Sequence, residues 1–191
     1  MVALCDAGGD FARGPEATET VAHFLADAVR SAMTADAMVS AFQRTCLTLG
    51  PKFIDDMGIH ASWSTAAGVL TADVALVAWA GATGAAHIRN DEVLWRSTPH
   101  LLRTDWPEGL PLRTVVGRLQ ADPRTWAPPQ VQTLQLQPGD VVLLYSRSVE
   151  KLFFELEGDR FLIEKHPVPL VNRLCALAQW PPSVVEVRAL E

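Results

Sequence analysis

Between Ser62 and Arg96 four short apolar runs follow one another: Ser62 to Leu70, Val74 to Gly81, Ala85 to Arg89 and Val93 to Arg96. They are separated by Thr71-Ala72-Asp73, Ala82-Thr83-Gly84 and Asn90-Asp91, residues that favour turns over ladders. Runs this short with breaks this tight cannot accommodate crossover helices, so an antiparallel meander is expected.

Two helical patterns precede these runs. Gly14-Pro15 opens the first with proline at its start, and Val21, Phe24, Leu25, Ala28 and Val29 share one face. The second begins near a capping Thr34 and carries Val39, Phe42, Cys46 and Leu49 before Gly50-Pro51 stops it. At the start of the chain, Val2 to Cys5 reads as a short strand ended by Asp6-Ala7-Gly8-Gly9-Asp10. Asp105 to Gln132, rich in Pro and Trp, reads as a long excursion around a possible short helix. Leu136-Gln137-Pro138-Gly139-Asp140 then makes a turn into the apolar strand Val141 to Tyr145, followed by a helix around Pro167 to Ala178 and a last strand, Ser183 to Val187. Helices amid runs of antiparallel strand imply an α+β layered fold.

The 191 residues, 49% hydrophobic, suffice for one sizeable core, so one domain over 1–191 is expected, with the excursion at about 105–132 as its largest insertion. The formal charge is -6 and the 16 Lys and Arg are scattered, which argues against nucleic acid and anionic membranes as partners. Neither a spanning segment nor a signal peptide is evident. Cys5, Cys46 and Cys175 lie in apolar surroundings without paired spacing, which suits reduced core thiols and a cytoplasmic protein.

Several segments, in this order, resemble the type-2C (PPM) metal-dependent serine/threonine phosphatases across nearly the whole chain. The family's strand followed by D-G-x-G-G and a helix resembles Ala3 to Gly9 with the helix from Glu16. Its G-D-S-R is similar to Gly81-Ala82-Thr83-Gly84, and the turn downstream resembles Arg89-Asn90-Asp91-Glu92. Its L-x-P-G-D, apolar strand and S-D-G resemble Leu136 to Asp140, Val141 to Tyr145 and Ser146-Arg147-Ser148; its terminal D-N-x-T and valines resemble Trp180 to Val185. The resemblance implies a four-layer α-β-β-α sandwich of antiparallel sheets flanked by helices, here without the usual N-terminal strands. It also implies two Mn²⁺ or Mg²⁺ ions between the sheets, activating a water against a phosphoserine or phosphothreonine.

Such ions need several hard oxygen ligands, since a pair of them about 4 Å apart repel strongly. By the resemblance, Asp6 keeps the bridging aspartate and Ala7 keeps a backbone carbonyl, while Gly8 and Gly9 match the motif's glycines. Ala82, Arg147 and Trp180 stand where other acids belong. The remnant site is therefore Asp6, Ala7, Gly8, Gly9 and Arg147, with Asp6 the one retained metal ligand. The expectation is a catalytically silent regulatory module that binds a protein partner or itself, with no cofactor.

A divergent Mn²⁺- or Mg²⁺-dependent phosphatase recruiting Asp10, Asp73, Asp91 or Asp140 is the alternative, and a phosphate or small-anion sensor a further one. Arg147 itself has three open readings: an ion pair with Asp6 replacing the metals, an anion clamp with the Gly8 and Gly9 amides, or a loop residue in solvent.

Glu19 with His23, and Asp55 and Asp56 with His60, offer too few ligands for zinc and read as solvated charges. His87 and Arg89, and His100 near Arg96 and Arg103, read as exposed strand and turn groups. Cys5 beside Asp6 reads as core rather than as a nucleophile. Trp106 and Trp126 in the excursion are either a binding surface or packing onto the body.

Overall fold

Val2 to Cys5 extend because alternate side chains of a strand reach opposite faces, and here both faces meet apolar partners. The computed structural model describes residues 1–8, 14–53, 62–81, 83–90, 92–98, 100, 129–146 and 184–188. The first strand, β1 (Val2–Gly8), runs further than its apolar start suggests. Asp6, Ala7 and Gly8 stay in register with Ser64, Trp63 and Ser62 of the next strand. Ladder pairing outweighs the weak strand preference of Asp and Gly, so the break expected at Asp6 does not occur there.

Helix α1 (Gly14–Val29) buries Ala17, Val21, Leu25 and Val29, a stripe at four-residue spacing. Helix α2 (Ala35–Leu49) is capped as expected: the Thr34 hydroxyl accepts the Ala37 N–H at 3.2 Å. It buries Met38, Ala41, Phe42, Thr45, Cys46 and Leu49 and ends in a tight turn at Gly50–Lys52 containing Pro51.

The remaining strands are β2 (Ser62–Leu70), β3 (Val74–Ala80), β4 (Gly84–Arg89), β5 (Glu92–Arg96), β6 (Gln130–Gln135), β7 (Val141–Tyr145) and β8 (Val184–Arg188). They form two antiparallel four-stranded sheets, β1-β2-β3-β6 and β5-β4-β7-β8. The expected single meander is thus corrected. The pairs β2–β3 and β4–β5 are hairpins, but between β3 and β4 the chain crosses from one sheet to the other. Gly81, at φ 89°, permits the sharp change of direction. The excursion is also shorter than expected, because Gln130, Val131 and Gln132 already belong to β6. Its polar composition hid it: along β6 only Leu134 is fully buried.

Two cores define three layers. Helices α1 and α2 pack on one face of the first sheet through Val21, Leu25, Phe42, Trp63 and Ala78. Its other face meets the second sheet through Leu4, Ala66, Val77, Trp79, Val142 and Leu144. The Trp79 and Trp95 rings meet across this interface with centroids 5.5 Å apart, and the Trp79 indole N–H donates to the Thr98 carbonyl at 3.0 Å. The architecture is α+β with two stacked antiparallel sheets. The helix expected around Pro167 to Ala178, which would form the fourth layer, lies outside the described residues. No helix among the described residues is long and apolar enough to cross a membrane.

Candidate functional site

The strand period of two decides which way Asp6 points. Leu4 belongs to the core between the sheets and Cys5 to the core under the helices, so Asp6, two residues after Leu4, lies on the inter-sheet face. It sits half-buried opposite Ser64 of β2. The crossing turn at Gly81 closes directly on Ser64, and any side chain at 81 would collide with it. Next to this turn β4 begins at Gly84, whose register partner is Tyr145, and Tyr145 is paired in turn with Val184 of β8. A side chain at Gly84 would come within 2.6 Å of the Tyr145 ring and 2.7 Å of the Ser97 hydroxyl. One end of the sandwich therefore gathers the ends of β1, β3 and β7, the starts of β2, β4 and β8, and the buried hydroxyls of Ser64 and Ser146.

The opposite end holds a second polar cluster. Asp140, whose side chain is wholly buried, receives two bonds from Arg89, Nε to Oδ1 and Nη2 to Oδ2, each 2.8 Å long. His87 Nε2–H donates to Oδ2 at 2.8 Å, and the Gln137 backbone N–H donates to the same oxygen at 2.8 Å. Arg89 also donates from Nη2 to the carbonyl of Gln135 on β6, which ties the two sheets together. The Arg89 guanidinium holds the Asp140 carboxyl well below the usual carboxylate range; this outweighs the opposing effect of burial and is reinforced by His87 and the Gln137 amide. In return the carboxylate raises Arg89.

No protein-family model matches this chain, and no curated protein matches it. Solved structures do. The serine/threonine phosphatase of S. agalactiae superposes with a TM-score of 0.70 over 99% of this chain and 86% of its own, at 19% identity. The PPM Ser-Thr phosphatase MsPP from Mycobacterium smegmatis, solved with cacodylate, gives 0.66 over 99% and 87% at 20% identity. The catalytic domain of the serine threonine protein phosphatase PstP, solved with two manganese ions, gives 0.65 over 96% and 85% at 17% identity. The chain has the PPM phosphatase fold.

Of the residues expected to form the remnant site, Asp6, Ala7 and Gly8 are among those described. Asp6 occupies the inter-sheet end, and Ala7 and Gly8 continue the ladder beside it. Gly9, Asp10, Ala82, Asp91, Arg147 and Trp180 lie outside the described residues, and with them the Asp6–Arg147 pair and the anion clamp. Asp73 and Asp140 cannot join Asp6. Asp73 sits in the β2–β3 turn and Asp140 precedes β7, both at the far end of strands that run roughly 15 Å or more at 3.3 Å per residue. Among the described residues no three His, Cys, Asp or Glu side chains come together as a metal requires. A two-ion centre needs several carboxylates, so the described donors, Asp6 with the Ala7 carbonyl, do not fit one.

His87 and Arg89 are not exposed, as the alternation alone suggested. His87 is 5% accessible and Arg89 is about three-quarters covered, because β4 is a central strand and its inward residues follow Ala85 into the sandwich. The signal was present in the sequence: residues 85, 87 and 89 share a face, and Ala85 is apolar. His100 is likewise half-buried, its ring 6.4 Å from Trp79, and burial lowers its pKa against the opposing influence of the Gln130 side chain.

Glu19 and His23 are exposed on α1, as a solvated face should be. Burial, and then the Asp6 charge, push the Cys5 thiol far up, and burial raises Cys46 to about 11, so neither is a nucleophile at neutral pH. Asp55, Asp56, His60, Arg103, Trp106, Trp126 and Cys175 lie outside the described residues.

Proposed function

We propose that this chain is a catalytically silent PPM-fold module that acts by binding a protein partner. The observation that carries the reading is that, among the described residues, no further His, Cys, Asp or Glu joins Asp6 on the inter-sheet face at the end of the sandwich where β1, β3 and β7 finish. The sequence supports it by carrying Ala82, Arg147 and Trp180 where the resemblance puts further acids. With too few negative charges to offset the repulsion between two divalent ions, hydrolysis by a metal-activated water loses its basis. The buried thiols of Cys5 and Cys46, which form no disulfide, favour a cytoplasmic setting.

A second reading, a divergent Mn²⁺- or Mg²⁺-dependent phosphatase, draws support from the fold shared with PstP, which was solved with two manganese ions, and from Asp6, which by the sequence resemblance stands for a bridging aspartate. One experiment separates the two: calorimetric titration with Mn²⁺ and Mg²⁺ beside aryl-phosphate turnover at the same metal concentrations, for the native chain and Asp6→Asn. The silent module shows no binding at millimolar metal and no turnover, and Asp6→Asn changes nothing. Stoichiometric binding with metal-dependent turnover lost in Asp6→Asn overturns it. A third outcome, thermal stabilisation by inorganic phosphate without turnover, identifies an anion sensor instead.

A further inference from the structure

We infer that the cleft between the end of α1 and the outer face of α2 is a binding site for a small aliphatic carboxylate, with Arg44 as its anchor. In α2 the residues Ala37, Ser40 and Arg44 follow at intervals of three and four, so they stack on one face of the helix. Facing them are Ala28, in the last turn of α1, and Ser31 and Ala32 just beyond it, where the Ala32 N–H donates to the Val29 carbonyl at 2.9 Å. Alanine and serine at these positions are too short to fill the space between the helices. What remains is a cavity of about 380 Å³ lined by these six residues, within the roughly 300–1,000 Å³ of small-molecule sites.

The lining divides by chemistry. Ala32 is buried and Ala28 and Ala37 are half-buried, which gives an apolar floor; Ser31, Ser40 and Arg44 are exposed and supply hydrogen-bond donors. Arg44 is held over the cleft by its Nη2–H, which donates to the Ala28 carbonyl at 3.3 Å. A carbonyl fixes the guanidinium in place without cancelling its charge. Elsewhere Arg30 bonds Asp27 and Arg89 bonds Asp140, each at 2.8 Å. Among the described residues no carboxylate does the same for Arg44, and none lines the cleft. In a chain with 22 Asp and Glu against 16 Lys and Arg, a cation held over a cavity with no acid beside it marks a place for an anion from outside.

Charge and shape select the ligand. One guanidinium balances one negative charge, and its planar fork matches the paired oxygens of a carboxylate. A phosphate dianion would keep a charge in excess, with Asp36 close by in the first turn of α2. The alanine floor takes an unbranched apolar stem of a few carbons. An occupant touches α1, the connection and α2 at once, so it stabilises the helix pair that covers the first sheet. The helices lie on the face of that sheet opposite to the one that carries Asp6, so the site is separate from the metal question and belongs equally to a silent module or an active phosphatase.

The test is a titration of the full chain with hexanoate, followed through the amide chemical shifts. Saturable shifts gathered at Ser31, Ala32, Ala37, Ser40 and Arg44 are expected at millimolar ligand. Arg44→Gln, at an exposed position outside the core, weakens binding about tenfold or more, and Arg44→Lys, which keeps the charge but loses the fork, weakens it about threefold or more. Hexylammonium, with the same stem and the opposite charge, produces no shifts there. Should Arg44→Gln misfold, Arg44→Lys and the hexylammonium comparison on the native chain carry the test. Shifts scattered over the surface, equal binding of hexylammonium, or an affinity unchanged in the Arg44 variants overturns the proposal. Inorganic phosphate that occupies the cleft as tightly as hexanoate overturns the carboxylate assignment.

Discussion

A single residue, Asp140, ties the turn that leads into β7 to the neighbouring strand β4, since Arg89, His87 and the Gln137 amide all donate to it. Its carboxyl titrates lower in the folded protein than in the unfolded chain. The stabilisation it contributes is therefore fully present above the unfolded carboxylate pKa of about 3.9 and drains away as pH falls towards the depressed folded value. Asp140→Ala leaves His87 and Arg89 facing a buried gap and should cost on the order of 3 kcal/mol in urea unfolding at neutral pH. The acid limb of its stability curve should also be flatter than that of the native chain.

Two glycines with nearly the same backbone angle separate strain from crowding. Gly81 and Gly139 have φ of 89° and 86°, but a side chain at 81 strikes Ser64 while one at 139 meets nothing within 4 Å. Gly139→Ala should cost about 1 kcal/mol, and Gly81→Ala distinctly more, about 3 kcal/mol, in the same unfolding measurement. Asp6 could be found in the sequence because a local motif surrounds it. The role of Asp140 could not, because its partners are some fifty positions away and nothing local announces them.

At the scale of elements, local signals read well where they were sufficient. The Pro15 start of α1 and the Thr34 cap of α2 stand as expected, and Thr34→Ala should lower stability by about 1 kcal/mol, read as a reduced thermal midpoint with the fold unchanged by circular dichroism. Strands whose pairing came from afar read poorly. The continuation of β1 through Asp6 to Gly8 depends on β2, and polar β6 depends on β3 to give it a partner. Neither has enough apolar alternation to declare itself. The hairpins β2–β3 and β4–β5 were legible from their turns, whereas the crossing at Gly81 was not, because a glycine turn looks alike whether the next strand pairs back or leaves the sheet.

For the molecule as a whole, the α+β class with two antiparallel sheets followed from the order of helical and strand-like runs, while the assignment of strands to sheets required the three-dimensional ladder. That assignment is interleaved: β1, β2, β3 and β6 make one sheet, and β4, β5, β7 and β8 the other. During synthesis β3 emerges well before β6, and β7 before β8, so each sheet waits with a bare edge for a strand made much later. No contiguous half of the chain contains either sheet complete. Fragments cut between β5 and β6 should therefore not behave as independent folding units, and the growing chain depends on protection from aggregation until Val184–Arg188 has left the ribosome.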